Sequence, residues 1–220
     1  MKKRLVLIEA MLLLLMGCQN NYLQQRACTT KINYSIKNGF SADKPESRIY
    51  VLPAQVNTGY EQYGKVASGS LAKALDGSGN GFKVLSFSDF ANRLNETDMH
   101  QEYSGMMDFY QKYGLFKKAD LENIGCSFGI DYFIIPSVLD IKRWNENRVS
   151  AVGVKFINTQ KICIMATIEI WSASGYNVFS LSCDVTIADE RIKENPISIE
   201  RVFEQAWLAA IQQFNQTEPE

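Results

Sequence analysis

The stretch KICIMATIEIWSASGYNVFSLSCDVTI, residues 161–187, decides the fold. Apolar residues occupy every second position at Ile162, Ile164, Ala166, Ile168 and Ile170, and again at Phe179, Leu181, Cys183, Val185 and Ile187. A period of two belongs to a strand with one face in the core. The polar SASGYN between the runs carries Gly175, which supplies a tight turn, so the spacing predicts a β-hairpin. Turning both apolar sets to one side places Cys163 and Cys183 on opposite faces of the sheet, because neighbours along a strand alternate. No disulfide between them is expected. Cys126 and Cys183 are expected to be buried free thiols, and the spacing of Cys28, Cys126, Cys163 and Cys183 matches no zinc or haem signature.

Working outward, SIERVFEQAWLAAIQQF (198–214) puts Ile199, Val202, Phe203, Ala206, Trp207, Ala210, Ile211 and Phe214 on one helical stripe, with Ser198 as N-cap. IDYFIIPSVLDIKRW (130–144) is almost continuously apolar at its start and reads as a buried strand, with Pro136 suggesting a bulge or an edge position. RVSAVGVKF (148–156) is expected to be a further strand. Upstream, KADLENIGCSFG (118–129) reads as a helix ended by Gly129, and RIYVLPAQV (48–56) as a strand closed by Pro53. Residues 60–79 have apolar residues at helical spacing. GFKVLSFSDF (81–90) reads as a second strand, with Ser88 or Asp89 capping the helix FANRLNE. Residues 97–115 are ambiguous, a loop with a short helix MMDFYQKY. The order β-α-β-α-α-β-β-β-α predicts a mixed α/β (α+β) domain, a three-layer-like mixed sheet with flanking helices.

The N-terminus has another logic. Lys2, Lys3 and Arg4 precede an apolar run from Leu5 to Gly17 broken by Glu9, a charged n-region and a short h-region. The run falls short of the roughly 20 residues that span a bilayer. Leu15-Met16-Gly17-Cys18 resembles the lipobox of bacterial lipoproteins. The resemblance implies a signal peptide at 1–17, cleavage before Cys18, and acylation (palmitate among the chains) of Cys18 as the lipid attachment site. Gln19 follows the cysteine where an inner-membrane retention signal would place aspartate, so an outer-membrane location on the periplasmic face is expected. Residues 18–47 are poor in apolar side chains and predict a flexible tether. The domain is expected over 48–214, with a disordered tail at 215–220.

Without the signal, 203 residues remain, with 20 basic against 23 acidic. That balance gives no reason to expect nucleic acid as a partner. His100 is the only histidine, which rules out a multi-histidine metal site, and it is expected in a solvent-exposed loop. GSGNG (77–81) lacks the lysine and serine of a phosphate loop and reads as a turn. Asp89, Glu96, Asp98 and Glu102 lack the spacing of a calcium loop and read as a solvated face. No catalytic residue, metal ligand or cofactor is expected, and the protein is not read as an enzyme.

The stretches ending in VLP, then FKVLSFSDF, FGIDYFIIPSV and ATIEIWSASGYNVFSLS, with a closing helix, resemble the CsgG-like and TolB-N-terminal-like domain of bacterial envelope lipoproteins, an anticodon-binding-domain-like fold. The match rests on Gly129, Asp131, Tyr132, Ser137, Val138 and Gly175, while Pro136 stands where that family usually has glycine. Members serve as a curli secretion channel, an activator of a peptidoglycan synthase and an exopolysaccharide-export lipoprotein. The resemblance therefore implies a non-enzymatic accessory that binds an envelope protein partner or self-oligomerises. The alternative is a subunit of an oligomeric secretion channel. Against the channel, the one candidate membrane hairpin, 148–171, shows an arm of about nine residues with little contrast between its faces, whereas membrane strands need about 9 to 11. Tyrosine-rich stretches often anchor partners, and Trp144, Tyr110 and Tyr113 are the residues expected to touch one.

Overall fold

The computed structural model describes residues 26–37, 46–79, 81–149, 156–191 and 197–215. The signal segment 1–17, Cys18 and residues 216–220 lie outside the described residues. The strands are β1 (Arg26–Lys37), β2 (Arg48–Val51), β3 (Gln55–Val56), β4 (Lys83–Val84), β5 (Tyr132–Val149), β6 (Phe156–Ser172) and β7 (Asn177–Arg191). The helices are α1 (Gly64–Gly77), α2 (Phe87–Thr97), α3 (His100–Tyr113), α4 (Lys118–Phe128) and α5 (Ile199–Gln212). Short 3₁₀ turns cover Glu61–Tyr63 and Gln213–Asn215. The strands form one mixed sheet in the order β1-β7-β6-β5-β2-β4, with β3 also pairing β5. Contacts of β5 with β2 and β3, and of β2 with β4, are parallel; the others are antiparallel.

Alternation along the strands divides the core in two. Ile49, Val51, Ile134, Ile164, Ile168, Leu181 and Val185 face α1 and α5. Tyr50, Leu52, Phe133 and Ile135 face α2, α3 and α4. Three layers result, as the element order implied. The Ile162–Ile170 and Phe179–Ile187 sets do share a face, and Cys183 is buried there while Cys163 is half-buried on the other. In α5, the predicted stripe packs on the sheet, and the Trp207 indole N–H donates to the Ala67 carbonyl and Ser70 Oγ of α1, each at 3.0 Å.

Several expectations are corrected. The segment read as a tether contains β1, paired to β7 from Arg26–Asp189 to Lys37–Phe179. An edge strand gains its backbone ladder without many apolar side chains, so counting those side chains missed it. Of the stretch 148–156 expected to be a further strand, Arg148 and Val149 end β5 and Phe156 begins β6, while residues 150–155 lie outside the described residues. The hairpin arms are therefore 18 and 17 residues long, and arm length no longer argues against a membrane hairpin. Composition does, because Lys142, Arg143, Asn145, Glu146 and Asn147 leave neither face apolar. The second predicted strand shrinks to Lys83–Val84, and Phe87 already starts α2. Ser86 is its N-cap, accepting from the Asp89 N–H at 3.1 Å and donating to Asp89 Oδ2 at 2.7 Å. Cys126 is exposed on α4.

Pro136 causes neither a bulge nor an edge. It pairs with Ile168 inside β5, and the register shift falls later, between Val138 and Asp140. The accommodation is made by its neighbour. Val51 pairs with Ile134 and Val56 with Val138, so the β2–β3 segment carries one residue more than β5 over that span. The break at Leu52–Ala54 lies opposite the proline, which has no N–H to donate.

The residues carrying the family resemblance have structural work. Asp131 accepts the Arg48 N–H at 2.8 Å, its own N–H donates to the Arg48 carbonyl, and its carbonyl accepts the Ala173 N–H, each at 2.8 Å. It ties the starts of β2 and β5 to the 172–176 turn. Gly129 closes α4 at φ 63°, where glycine avoids the strain of a side chain.

Candidate functional site

Inside the α3–α4 corner, Tyr110 and Phe116 stack with centroids 4.4 Å apart, and Phe116 meets Trp171 edge-on at 5.3 Å. Glu169 Oε2 accepts from the Tyr110 hydroxyl at 3.2 Å, the Trp171 indole at 3.0 Å and the Asn177 amide at 3.5 Å. These contacts fix α3 and the turn that follows it on the sheet. Gly114, at φ 67°, ends α3 and donates its N–H to the Tyr110 carbonyl at 2.7 Å.

What the inner set fixes, the outer set displays. Phe109 and Tyr113, one helical turn apart, lie with ring centroids 4.6 Å apart. Lys117 Nζ sits 4.7 Å from the Phe109 ring and Lys112 Nζ 5.1 Å from the Tyr113 ring. Lys118 Nζ reaches 5.7 Å from the Tyr176 ring and 3.4 Å from Glu122. Tyr113, Leu115 and Tyr176 are 54, 56 and 63% exposed. The turn carrying Tyr176 is seated directly on α4: a Cβ on Gly175 would meet the Lys118 Cα at 2.9 Å. The two groups meet through the adjacent Lys117 and Lys118, and together they present a surface of aromatic rings with three ammonium groups beside them. Among the described residues, Lys112 and Lys117 form no ion pair.

Of the residues expected at a partner site, only Tyr113 belongs to this surface. Tyr110 is buried and serves the corner described above, a correction to its expected role. Trp144 lies near the other end of the sheet, paired across to Lys161. Its indole donates to Glu146 at 3.3 Å, and Glu146 holds Lys161 at 2.6 Å. Leu115, Lys112, Lys117, Lys118 and Tyr176 escaped notice. The signal was available only in part: at about 100° per residue Met107 and Tyr110 fall to one side of Phe109 and Tyr113, but Met106 and Tyr113, seven residues apart, share a direction, and Tyr113 is exposed because it stands in the last turn of α3.

His100 opens α3 instead of standing in a loop, exposed, with Nε2 2.9 Å from Asn95 Oδ1. No cluster of His, Cys, Asp or Glu among the described residues could hold a metal ion. No helix among the described residues is long and apolar enough to cross a membrane.

No family model and no curated protein matches the chain. Among solved structures it is similar to the PelC dodecamer from Paraburkholderia phytofirmans, at 11% identity over 87% of this chain and 100% of that one, TM-score 0.45. It is also similar to the LpoB C-terminal domain from Salmonella enterica, at 12% identity over 67% of this chain and 86% of that one, TM-score 0.42. A third likeness is to lipoprotein GNA1162 from Neisseria meningitidis, at 15% identity over 76% of this chain and 96% of that one, TM-score 0.36. At these scores no residue role, partner or assembly passes from them to this chain.

Proposed function

We propose that this chain is a non-enzymatic envelope lipoprotein, anchored by acylated Cys18 at the periplasmic face of the outer membrane. Its domain binds a protein partner, as accessory to an assembly, secretion or cell-wall machine of the kind served by CsgG-like proteins. The partner docks on Phe109, Tyr113, Leu115 and Tyr176 and meets the flanking lysines with carboxylates.

The observation that carries this reading is the placement of the two ends. Arg26 lies at the Asp189 end of β7, and Tyr176 stands beyond the other end of that strand. At about 3.4 Å per residue the twelve residues of β1 separate them by roughly 40 Å. Only residues 19–25 lie between Cys18 and β1, a leash of at most about 25 Å when extended. A domain held so closely at one end offers its far end to other proteins. A channel subunit is the weaker reading, because the extended β5–β6 hairpin has no lipid-compatible face.

Cys18→Ala should move the protein from the membrane to the soluble fraction; undiminished membrane retention would sink the anchor. A photo-crosslinking residue at Leu115 should give a discrete adduct in cells that one at Lys65 does not. Lys117→Glu should suppress that adduct, and Tyr113→Ala should weaken binding by about 2 kcal/mol, roughly thirtyfold. An adduct indifferent to both changes removes this surface from consideration.

A further inference from the structure

The break between β2 and β3 has an outer side. Leu52 and Asn57 donate toward β5, to the carbonyls of Ile134 at 2.8 Å and Val138 at 3.2 Å. The alternation of a strand then turns the N–H and C=O of Val56 away from β5. No strand among the described residues pairs with them, because β4, which flanks β2, stops at Val84 and β3 pairs only with β5. Beside this segment there is a cleft of about 600 Å³, bounded on one side by residues 53–56 and on the other by Tyr103, Ser104, Met107 and Gln111 of α3.

The chemistry of this lining is narrow. None of its side chains is charged, so a phosphate, a carboxylate or a divalent cation has nothing to recognise it. Its polar groups are the carboxamides of Gln55 and Gln111 and the hydroxyl of Ser104, all able both to donate and to accept, while the Tyr103 hydroxyl lies against that of Tyr50. Such groups, beside an outward-facing backbone edge, match the alternating donors and acceptors of another peptide backbone. A strand edge on one side and a helix on the other is also the form in which proteins receive an added strand.

We propose that this cleft takes an extended, uncharged segment of a partner protein, which lies beside β3 as an additional strand with one row of its side chains against Met107. The site lies on a different flank of α3 from Phe109 and Tyr113, at about 100° per residue. It depends neither on the lipid anchor nor on the aromatic surface.

The test uses the full chain in detergent micelles with its methionine methyls labelled for NMR. Met107 reports on the cleft, and Met165, half-buried on the uncovered part of the sheet, is the internal control. The probes are capped peptides of alternating Thr-Val and of alternating Gln-Ala, each also made with every second amide N-methylated. The unmodified peptides should shift Met107 and leave Met165 in place, and the N-methylated forms should shift neither. Ser104→Arg and Gln111→Arg, at exposed positions of α3, should each weaken the response about tenfold or more while circular dichroism shows the fold intact. The proposal is overturned if neither peptide moves Met107 up to its solubility limit, or if N-methylated forms act equally. It is equally overturned if a folded Ser104→Arg protein responds unchanged, or if a neutral oligosaccharide moves Met107 where the peptides do not.

Discussion

Gly125 stands within α4, where alanine would ordinarily be preferred by about 1 kcal/mol. Its surroundings reverse that preference. A Cβ at this position would lie 2.6 Å from the Ala173 Cβ, 3.1 Å from the Ile130 carbonyl oxygen and 3.6 Å from the Ala173 Cα. Carbon–carbon contact is ordinary at about 3.5–4.0 Å, so the turn or the helix would have to give way by about 1 Å. Overpacking of this kind typically costs about 1–3 kcal/mol. Gly125→Ala should therefore destabilise by about 1 kcal/mol net, the propensity gain offsetting part of the strain. Ala173→Gly removes the nearest atom, and in that background Gly125→Ala should be neutral or stabilising. The coupling across the double-mutant cycle should reach about 1 kcal/mol or more. Urea unfolding of the four proteins, with unchanged m-values, reads it directly. If Gly125→Ala raises the midpoint in the unsubstituted chain, or acts identically in both backgrounds, the 172–176 turn is not seated on α4. Because the same seat brings Lys118 to Tyr176, the single substitution should also reduce the crosslinked adduct proposed for Leu115.

Alkali should destabilise the fold from a definite point. Burial pushes the Tyr50 phenol up and raises that of Tyr103 from its ordinary 10 to about 12. The unfolded chain releases these protons first, so their stabilisation is whole below pH 10 and is lost as pH rises toward 12; flat urea midpoints across that window would contradict the burial. Cys28 and Cys126 should alkylate in the native protein, whereas Cys183, whose thiol burial pushes up to about 12, should react only after unfolding, as mass spectrometry can show. Asp131→Ala should lower stability by about 1 kcal/mol, and Asp131→Asn by less, since a carboxamide oxygen can still accept the Arg48 N–H; equal losses would mean the bond is unimportant.

Legibility in the sequence followed periodicity. Residues 161–187 and 198–214 were transparent because each buries one regular face, and the glycine ending α4 announced itself. β1 was opaque, since what holds an edge strand is a ladder of backbone groups that every residue carries. α3 was half legible: its inward Met106, Met107 and Tyr110 looked like part of a short helix, while the glycine at 105 and the histidine opening it blurred its start. At the proposed docking surface, aromatic content drew the eye to Tyr110 and Trp144, but content does not distinguish a ring in the core from one in water. That distinction needed the helix phase of α3 and the turn at Gly175, which lies far from α3 in sequence and beside α4 in space.

The direction of β1 has a mechanical consequence. Were the proposed lipid anchor to enter at Arg26 and the proposed partner to be held at the opposite end of the sheet, a pull between them would run along the strands, not across them. The hydrogen bonds joining β1 to β7 stand perpendicular to that line, so they share the load together in shear instead of parting one after another. In this geometry the edge strand is the element that would keep a domain anchored at its N-terminal side folded under load.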